Sequence, residues 1–444
     1  MKRWQNLYFN LLYWGFIALT LFVLIYYNEF YWADYFPESG GIPGEYSFLL
    51  NIVRFFALLF ILAILIFKRK IFDKKKEVCL LVISLVLGLL VLELGVRVYV
   101  CEFASSDIRS RTLLLNECDF QSIYEEHHYL SFRGVPNYLS EDGLNMHNSL
   151  GFRGEEVAVP KLDGVYRIAI TGGSTTYDSE IKDWRKSSAY LLQEKLRDAY
   201  DYDGIEVVNV GMGGWNSWES LINLELNVLE LEPDLLIIYE GTNDASARFV
   251  NPEKYRGDNS GFRRVWKQYP LPLPFKSMLF RFVTGISPTG LGDFLVPRDA
   301  INPLHEEGFI ANLGGTYFET LEKNEPIYFE RNLINMIAIA REHDMSVLLS
   351  TWAYSKEVQL GHASLPHYRA AYREHNEIIF SIGKSKEVDV YDFASEMPED
   401  PAYWADGMHN SAEGAEKKAD LFANELVGNK NMIEKISDFK AGFN

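Results

Sequence analysis

Residues 166–176 read YRIAITGGSTT, a short apolar run that leads into two glycines and a serine. Four more short apolar runs follow, at Ile205–Val210, Leu235–Tyr239, Ser346–Ser350 and Val388–Tyr391. Amphipathic segments lie between and after them, near Trp184–Tyr200, Trp215–Glu232, Tyr328–His343, His367–Ile382 and Ala412–Val427. Short β-rich runs that alternate with helices are typical of βαβ units. The sequence therefore predicts an α/β domain with a flavodoxin-like, doubly wound sheet of five parallel strands.

Chemically useful residues follow several of these runs directly. In doubly wound sheets, active residues collect at the carboxyl ends of the strands. The first run ends in Gly172-Gly173-Ser174, the second leads to Gly213-Gly214, and the third leads to Asn243. After the fifth run comes the loop Trp404–Asn410, which contains Asp406 and His409. Four motifs on one edge of a sheet indicate a site rather than packing alone.

Each motif permits a functional and a structural interpretation. A serine hydroxyl needs a base to act as a nucleophile, and His409 could serve, with Asp406 orienting its ring. Asn243 and the backbone N–H of Gly214 could stabilise an oxyanion. Alternatively, Ser174 could cap a helix or form a phosphate-binding turn, and Asn243 could cap a helix. Asp406 and His409 could form a surface pair or bind a metal, although no cysteine or clustered histidine accompanies them.

Taken together, the four motifs resemble the SGNH (GDSL-like) hydrolases, which carry Ser, Gly, Asn and His in four blocks. The matching residues are Ser174 in Gly-Gly-Ser-Thr, Gly214 in Asn-x-Gly-x-x-Gly, Asn243 in Gly-x-Asn-Asp, and Asp406 with His409 in Asp-x-x-His. The resemblance covers roughly residues 164–428, together with the lead-in Asn148–Gly154, which looks like a segment of membrane-tethered members. The first block departs from Gly-Asp-Ser-Leu at Gly173 and Thr175, as in saccharide-type members.

The resemblance implies a serine-esterase mechanism with a Ser174–His409–Asp406 triad. It also implies an oxyanion hole formed by the N–H groups of Ser174 and Gly214 and the amide of Asn243. No metal or organic cofactor is expected. The resemblance implies an ester substrate, with an O-acetyl group on an exported carbohydrate as the leading hypothesis. Alternatives are a saccharide O-acetyltransferase with the same triad, a lipase or thioesterase, and a catalytically inactive glycan-binding module.

The first hundred residues are strongly apolar. Three stretches, Phe9–Tyr27, Tyr46–Phe67 and Val78–Val100, each reach the roughly 20 residues that a membrane-spanning helix needs. A cleaved signal peptide followed by core helices is the alternative, but the first stretch is long for a signal core and no small-x-small cleavage site follows it. The sequence therefore predicts three transmembrane helices, at about 9–27, 46–67 and 78–100, and hence the lipid bilayer as a partner.

The charges of the loops predict the orientation. Lys2 and Arg3 precede the first stretch, and six basic residues lie between the second and third (Lys68, Arg69, Lys70, Lys74, Lys75 and Lys76). The loop between the first and second stretches has four acidic residues and no Lys or Arg. The positive-inside rule then places the N-terminus in the cytoplasm and everything after residue 100 outside the cell membrane.

These patterns predict a domain organisation. Residues 1–100 form the membrane anchor, 101–163 a connecting segment, 164–428 the hydrolase domain and 429–444 a C-terminal tail. An insertion at about 245–327 could form a lid or binding wall, cover a sheet edge, or pack on the membrane through Phe275, Met278, Leu279 and Phe282. Cys101 and Cys118 would lie outside, where a disulfide could persist, but their spacing does not decide whether they pair.

Composition excludes one class of partner. The 444 residues are 48% hydrophobic and 23% charged, which is compatible with a folded protein. The formal net charge of −18 argues against nucleic acid, because phosphate binding needs clustered Lys and Arg. The oligomeric state cannot be read from these features.

Overall fold

The computed structural model describes residues 2–26, 44–114, 117–118, 122–266, 276–285, 304–307, 316–429 and 434–438. The chain divides into two compact units. The first contains Met1–Gln121 and Lys267–His305, and the second contains Ser122–Trp266 and Glu306–Asn444. Phe275 and parts of the insertion and C-terminal tail lie outside the described residues.

The second unit is built on a parallel sheet of five strands, as predicted. Their order across the sheet is Ile205–Asn209, Tyr166–Gly172, Leu235–Tyr239, Ser346–Ser350 and Asp389–Tyr391. This order, 2-1-3-4-5, is that of flavodoxin-like sheets. Every neighbouring pair is parallel, with Ile168 opposite both Val207 and Leu235. The prediction of an α/β doubly wound fold is confirmed.

Both faces of the sheet are covered, which explains the continuous apolar runs. All residues of the strands Tyr166–Gly172 and Leu235–Tyr239 are buried. Alternate residues enter two different cores: Ile237 packs in the core that contains Phe422, and Leu236 in the core that contains Met336. Strands buried on both faces have no polar side for alternation to mark. The continuous hydrophobicity that predicted the sheet is therefore a consequence of the two helical layers.

Further elements complete the two units. The helices of the second unit are Ser174–Tyr177, Ser188–Tyr200, Ser217–Asn223, Thr242–Ala247, Tyr317–Lys323, Ile327–Glu342, Pro366–Lys386, Phe393–Glu396 and Ala412–Val427. Its short strands Tyr124–Glu126 and Phe132–Gly134 pair antiparallel, and Arg263–Trp266 is a further short strand. The strand Leu304–Glu307 contains residues of both units. The helices of the first unit are Lys2–Tyr26, Gly44–Ile66, Lys68–Asp73, Lys75–Glu102, Ser106–Thr112 and Met278–Gly285.

The N-terminal helices lie where three membrane spans were predicted. Within the described residues, however, only Lys75–Glu102 is both long and apolar enough to cross a membrane. The apolar parts of the other two are shorter, at Leu7–Phe22 and Arg54–Ile66. For the part of the chain that the structure describes, length and composition therefore support one membrane span, and the other two spans stay predictions.

Residues 122–163, which the sequence predicted to be part of a connecting segment, fall in the second unit. The indole Nε1 of Trp215 donates to the carbonyl of Phe132 at 3.0 Å, and the hydroxyl of Ser131 donates to Glu219 at 3.0 Å. The lead-in pairs with the sheet at one bridge, between Arg153 and Asn209. This segment therefore packs against the loops at the carboxyl edge of the sheet.

Cys101 and Cys118, whose pairing the sequence left open, form a disulfide with Cα atoms 5.3 Å apart. The bond closes a short loop directly after the helix Lys75–Glu102. Arg109 lies within this loop and donates to the carbonyls of both cysteines. The disulfide and the arginine together hold the chain compact where it leaves the long helix.

Candidate active site

Ser174, His409 and Asp406 meet at the carboxyl edge of the sheet. The Oγ of Ser174 lies 2.7 Å from Nε2 of His409, and Nδ1 of the same ring lies 2.8 Å from Oδ2 of Asp406. Ser174 and His409 are 235 positions apart in the chain, so only the fold brings them together. All three side chains are partly exposed, while most of their chain neighbours are buried. The site is therefore assembled and open to small molecules.

The loop Trp404–Asn410 fixes the imidazole. The Oδ1 of Asp406 accepts the backbone N–H groups of Met408 and His409 at 2.9 and 2.8 Å. The N–H of Ala405 donates to the carbonyl of His409 at 2.8 Å, which closes the loop. One aspartate thus shapes the turn with one oxygen and orients the histidine ring with the other. The spacing Asp-x-x-His is what permits both contacts.

These contacts keep Asp406 ionised. Burial alone would raise its pKa, but hydrogen bonds from the His409 ring and from the N–H groups of His409 and Met408 lower the pKa to about 2. A carboxylate that is ionised throughout the neutral range can hold the ring in one tautomer and stabilise its protonated form. This is the electrostatic condition under which His409 can accept a proton from Ser174.

Glycines allow the serine to stand at the sheet edge. Ser174 begins the four-residue helix Ser174–Tyr177, called the serine helix below. A Cβ on Gly173 would lie 2.7 Å from Nδ2 of Asn243 and 2.8 Å from the carbonyl oxygen of Trp215. Any side chain at this position would therefore displace the amide or the loop beside the serine. Gly173 is needed for close approach.

The three predicted oxyanion donors belong to the same corner. Asn243 donates its amide to the carbonyl of Trp215 at 2.7 Å, which ties it to the loop that contains Gly214. Gly214 has a φ of +91°, a conformation that other residues adopt only with strain. The N–H of Ser174 lies in the first turn of a helix, where N–H groups have no partner within the helix. The structure thus brings Ser174, Gly214 and Asn243 together around Gly173.

The serine helix is too short to satisfy the carbonyls that follow Ser174, and side chains from distant elements do so instead. The ammonium of Lys418 donates to the carbonyl of Thr175 at 2.7 Å. The amide of Asn209 donates to the carbonyl of Thr176 at 2.7 Å. Lys418 is buried, lies 3.9 Å from the carboxylate of Asp178 and sits over the ring of Tyr239. Two carbonyls of the serine helix therefore have side-chain donors, one from the cationic Lys418 and one from the neutral Asn209.

Arg153 completes the set from the lead-in. Its guanidinium donates to the carbonyls of Tyr177 at 2.6 Å and Asp178 at 2.8 Å, and to that of Ile181. It also stacks on the ring of Tyr177, whose hydroxyl lies 2.8 Å from His147. Because five fixed donors suit several acceptors at once, one arginine can hold the whole C-terminal end of the serine helix.

Sequence reasoning missed the roles of Lys418 and Arg153. Lys418 follows another lysine and suggests a solvated surface, but its neighbours Ala415 and Phe422, three and four residues away, are buried. A lysine on the apolar face of a helix was thus the available signal. Arg153 lay in a motif that had been noticed only through its resemblance. Within the described residues, no group of three His, Cys, Asp or Glu has the arrangement of a metal site.

Two buried carboxyl groups, Glu240 and Asp244, flank Asn243 in the chain. Asp244 accepts the N–H and hydroxyl of Ser217 at 3.0 and 2.5 Å, and Glu240 accepts the hydroxyl of Ser220. Burial, followed by the proximity of the other carboxylates, raises the pKa of both groups. The start of the helix Thr242–Ala247, which carries Asn243, thus lies between two carboxyl groups that retain protons above the usual pH range of carboxylic acids.

At the carboxyl edge of a parallel sheet, Ser174 contacts His409, and His409 contacts Asp406, beside the predicted oxyanion donors. This arrangement is that of a serine hydrolase. The model of the GDSL-like lipase/acylhydrolase family matches residues 170–417, more than half of the chain. The chain belongs to this family, whose members act on ester bonds.

Several solved structures resemble the chain. A lipase/acylhydrolase from Enterococcus faecalis is 19% identical with a TM-score of 0.37, over 60% of this chain and 96% of that one. A catalytic mutant of an acetylxylan esterase from Geobacillus stearothermophilus is 16% identical with a TM-score of 0.36, over 61% and 97%. A GDSL-like lipase from Bacteroides thetaiotaomicron is 13% identical with a TM-score of 0.31, over 58% and 85%. No curated protein sequence matches the chain.

Lys418→Met should lower the turnover of a small ester such as p-nitrophenyl acetate by about 10- to 100-fold. A charge-assisted hydrogen bond contributes roughly 1.5–3 kcal/mol, and its loss would release the Thr175 carbonyl and the serine helix. Steady-state kinetics should show the change in kcat, with KM nearly constant. Lys417→Met, which alters the half-exposed neighbour, is the control. Equal kcat in both variants would show that the Lys418 contact does not position the serine.

Glu240→Gln should gain stability relative to the wild type as the pH rises from about 4 to 7. Unfolded carboxyl groups ionise near pH 4, whereas the buried pair keeps its protons to higher pH, so the folded wild type binds more protons there and loses stability. One retained proton corresponds to about 1.4 kcal/mol per pH unit. His147 and His375, whose pKa values burial lowers, contribute the opposite slope to both proteins. The difference between variant and wild type is therefore the quantity to measure.

Urea unfolding followed by tryptophan fluorescence at several pH values gives this difference. Glu253→Gln, at an exposed position, should track the wild type throughout. A Glu240→Gln difference that stays constant with pH would contradict the raised pKa of the buried pair.

Proposed function

We propose that this chain is a membrane-anchored serine esterase in which Ser174, His409 and Asp406 form the catalytic triad. The observation that carries the proposal is the 2.7 Å contact between the serine hydroxyl and Nε2 of His409, with Asp406 bound to the opposite nitrogen. A hydroxyl so placed can transfer its proton as it attacks a carbonyl carbon. Membership in a family that acts on ester bonds supports the same chemistry.

The reaction proceeds in two halves. His409 takes the proton of Ser174 while Oγ bonds to the ester carbonyl carbon, and the resulting oxyanion is stabilised by the N–H groups of Ser174 and Gly214 and the amide of Asn243. The protonated imidazole then donates to the leaving alcohol, which departs and leaves an acyl-serine. Water attacks the acyl carbon with His409 again as the base, and the acid is released.

The proposed location is the outer face of the cell membrane. Three N-terminal helices cross the bilayer, with the N-terminus and the basic segment Lys68–Lys76 in the cytoplasm and the esterase unit outside. The apolar helix Lys75–Glu102 and the basic residues before it support this orientation. The substrate is an ester, specifically an O-acetyl group on an exported carbohydrate. The Gly-Gly-Ser-Thr form of the first block and the outward topology support this choice.

Ser174→Ala should abolish p-nitrophenyl acetate hydrolysis, whereas Ser179→Ala, five residues along at an exposed position, should keep wild-type rates. Loss of the nucleophile leaves only the binding and oxyanion contributions, so the expected decrease is on the order of 10⁴-fold or more. Equal rates in the two variants would exclude Ser174 as the nucleophile. Release of acetate from an acetylated glycan, tested with and without an acceptor sugar, then distinguishes hydrolysis from acetyl transfer. Faster cleavage of long-chain esters would contradict acetyl specificity.

Asn243→Ala should lower kcat by about 10²–10³-fold with little change in KM, because the amide serves mainly the transition state. Asn209→Ala is the informative comparison, since it removes an amide that bonds the Thr176 carbonyl of the serine helix and was not predicted to stabilise the oxyanion. Progress curves with p-nitrophenyl acetate measure both variants. A decrease in affinity alone for Asn243→Ala would assign that residue to ground-state binding.

A further inference from the structure

The helix Met278–Gly285, in the middle of the long insertion, begins at a carboxylate of the long apolar helix. Glu93 accepts the N–H groups of Met278 and Leu279, both at 3.0 Å, and the hydroxyl of Ser277 at 2.7 Å. Glu93 also forms an ion pair with Arg97, one turn along the same helix, at 2.8 Å. All these residues belong to the first unit. The insertion therefore returns to the helix Lys75–Glu102.

The depth of this contact follows from helix geometry. Glu93 lies 15 residues beyond Val78, where the apolar run begins, or about 22 Å at 1.5 Å per residue. The hydrocarbon core is roughly 30 Å thick. If the core begins at Val78, Glu93 and the N-terminus of the short helix lie inside its outer half. A charge at that depth is costly unless it is paired, and Glu93 is paired.

The short helix meets the other requirement of a lipid environment, that polar groups find partners within the protein. Its next N–H groups, of Phe280 and Arg281, donate to the hydroxyl and the carbonyl of Ser277 at 3.2 Å. Arg281 is buried and donates to the carbonyl of Thr112 at 2.7 Å and to Glu117 at 2.5 Å. The hydroxyl of Thr284 donates to the carbonyl of Phe280 at 2.9 Å.

Some apolar side chains of the helix Met278–Gly285 pack against the protein, and others are exposed. Met278 packs in a cluster with Val100 and Leu113, and the ring of Phe282 lies 5.8 Å from that of Tyr99. Val283 is 58% exposed, and Leu279, one turn before it, is partly exposed. An apolar exposed face that continues the lipid-facing surface of a spanning helix is suited to acyl chains.

We propose that Ser277–Gly285 enters the outer leaflet of the bilayer beside the helix Lys75–Glu102 and is held there by Glu93. The inference rests on the membrane anchoring proposed above. It assigns this part of the insertion to contact with lipid rather than to a lid over the triad. The N-terminal anchor is then joined in the membrane by a segment that lies 184 positions further along the chain at the Glu93–Ser277 contact.

Site-directed spin labelling of the full-length chain in lipid nanodiscs tests the proposal. Cys79→Ala removes the free thiol, and Cys101 and Cys118 are protected by their disulfide. Single labels go on Val283→Cys, on Leu87→Cys in the middle of the long helix, and on Leu162→Cys, an exposed position of the second unit. Power saturation compares access to oxygen, which concentrates in lipid, with access to a water-soluble nickel chelate. Retained p-nitrophenyl acetate hydrolysis verifies that each labelled protein is folded.

The expected result is that the labels at 283 and 87 favour oxygen over nickel several-fold more than the label at 162. A label at 283 that matches the one at 162, while 87 remains in lipid, would overturn the inference and leave the anchoring intact. A water-accessible label at 87 would instead overturn the anchoring, and the inference with it. Esterase activity is independent of either outcome.

Glu93→Gln tests the holding contact in the same background. The neutral amide is a weaker acceptor for two N–H groups and loses the pair with Arg97, so nickel access at Val283→Cys should rise at least twofold. Leu87→Cys in the same variant should be unchanged. Unaltered access at position 283 would contradict the role of Glu93.

Discussion

The backbone carbonyls of a four-residue helix set the main constraint on this active site. In a helix as short as Ser174–Tyr177 the carbonyls after the first residue have no helical partner, and buried carbonyls without partners are costly. The protein answers with Lys418 from its last long helix, Asn209 from the edge strand and Arg153 from the lead-in. These donors come from three elements far apart in sequence. The serine therefore reaches His409 only when the whole second unit is assembled.

The sequence was most informative where local pattern and chemistry coincide. The runs Tyr166–Ile170 and Leu235–Tyr239 predicted buried parallel strands because both faces of the sheet are covered. Asp406 and His409 were predicted as partners because an Asp-x-x-His turn permits one carboxylate to contact backbone and ring together. Glycine at 214 was predicted for its exposed N–H, and its positive φ supplies the reason that no other residue type fits well.

The residues that escaped prediction act over long distances and use types that usually serve another purpose. A lysine in an amphipathic helix normally lies in solvent, so nothing local shows that Lys418 is buried against Thr175. Likewise, Glu93 gives no sign in sequence that its partners are Ser277 and the N–H groups that follow it. Residues 122–154 show little of the hydrophobic periodicity of helices and strands, because they are held mainly by hydrogen bonds to loops. A bond such as that from the indole of Trp215 to the carbonyl of Phe132 depends on the fold and leaves no periodic pattern in the sequence. The membrane helices were predicted from the length and hydrophobicity of three stretches, and in the described residues Lys75–Glu102 meets both criteria.

The positions of Arg153 and Lys418 also determine where the boundaries of a recombinant fragment can lie. The family match ends at residue 417 and begins at residue 170, so a recombinant fragment with those boundaries would lack both cationic donors. Such a fragment would retain every member of the triad and most of the sheet, yet the serine helix would lose the partners of Thr175 and Tyr177. A fragment that keeps these partners has to begin before Arg153 and extend beyond Lys418, and one that also keeps the buried Ile436 has to include the residues after Val427. Its borders are dictated by what contacts the serine helix, and not by what resembles other proteins.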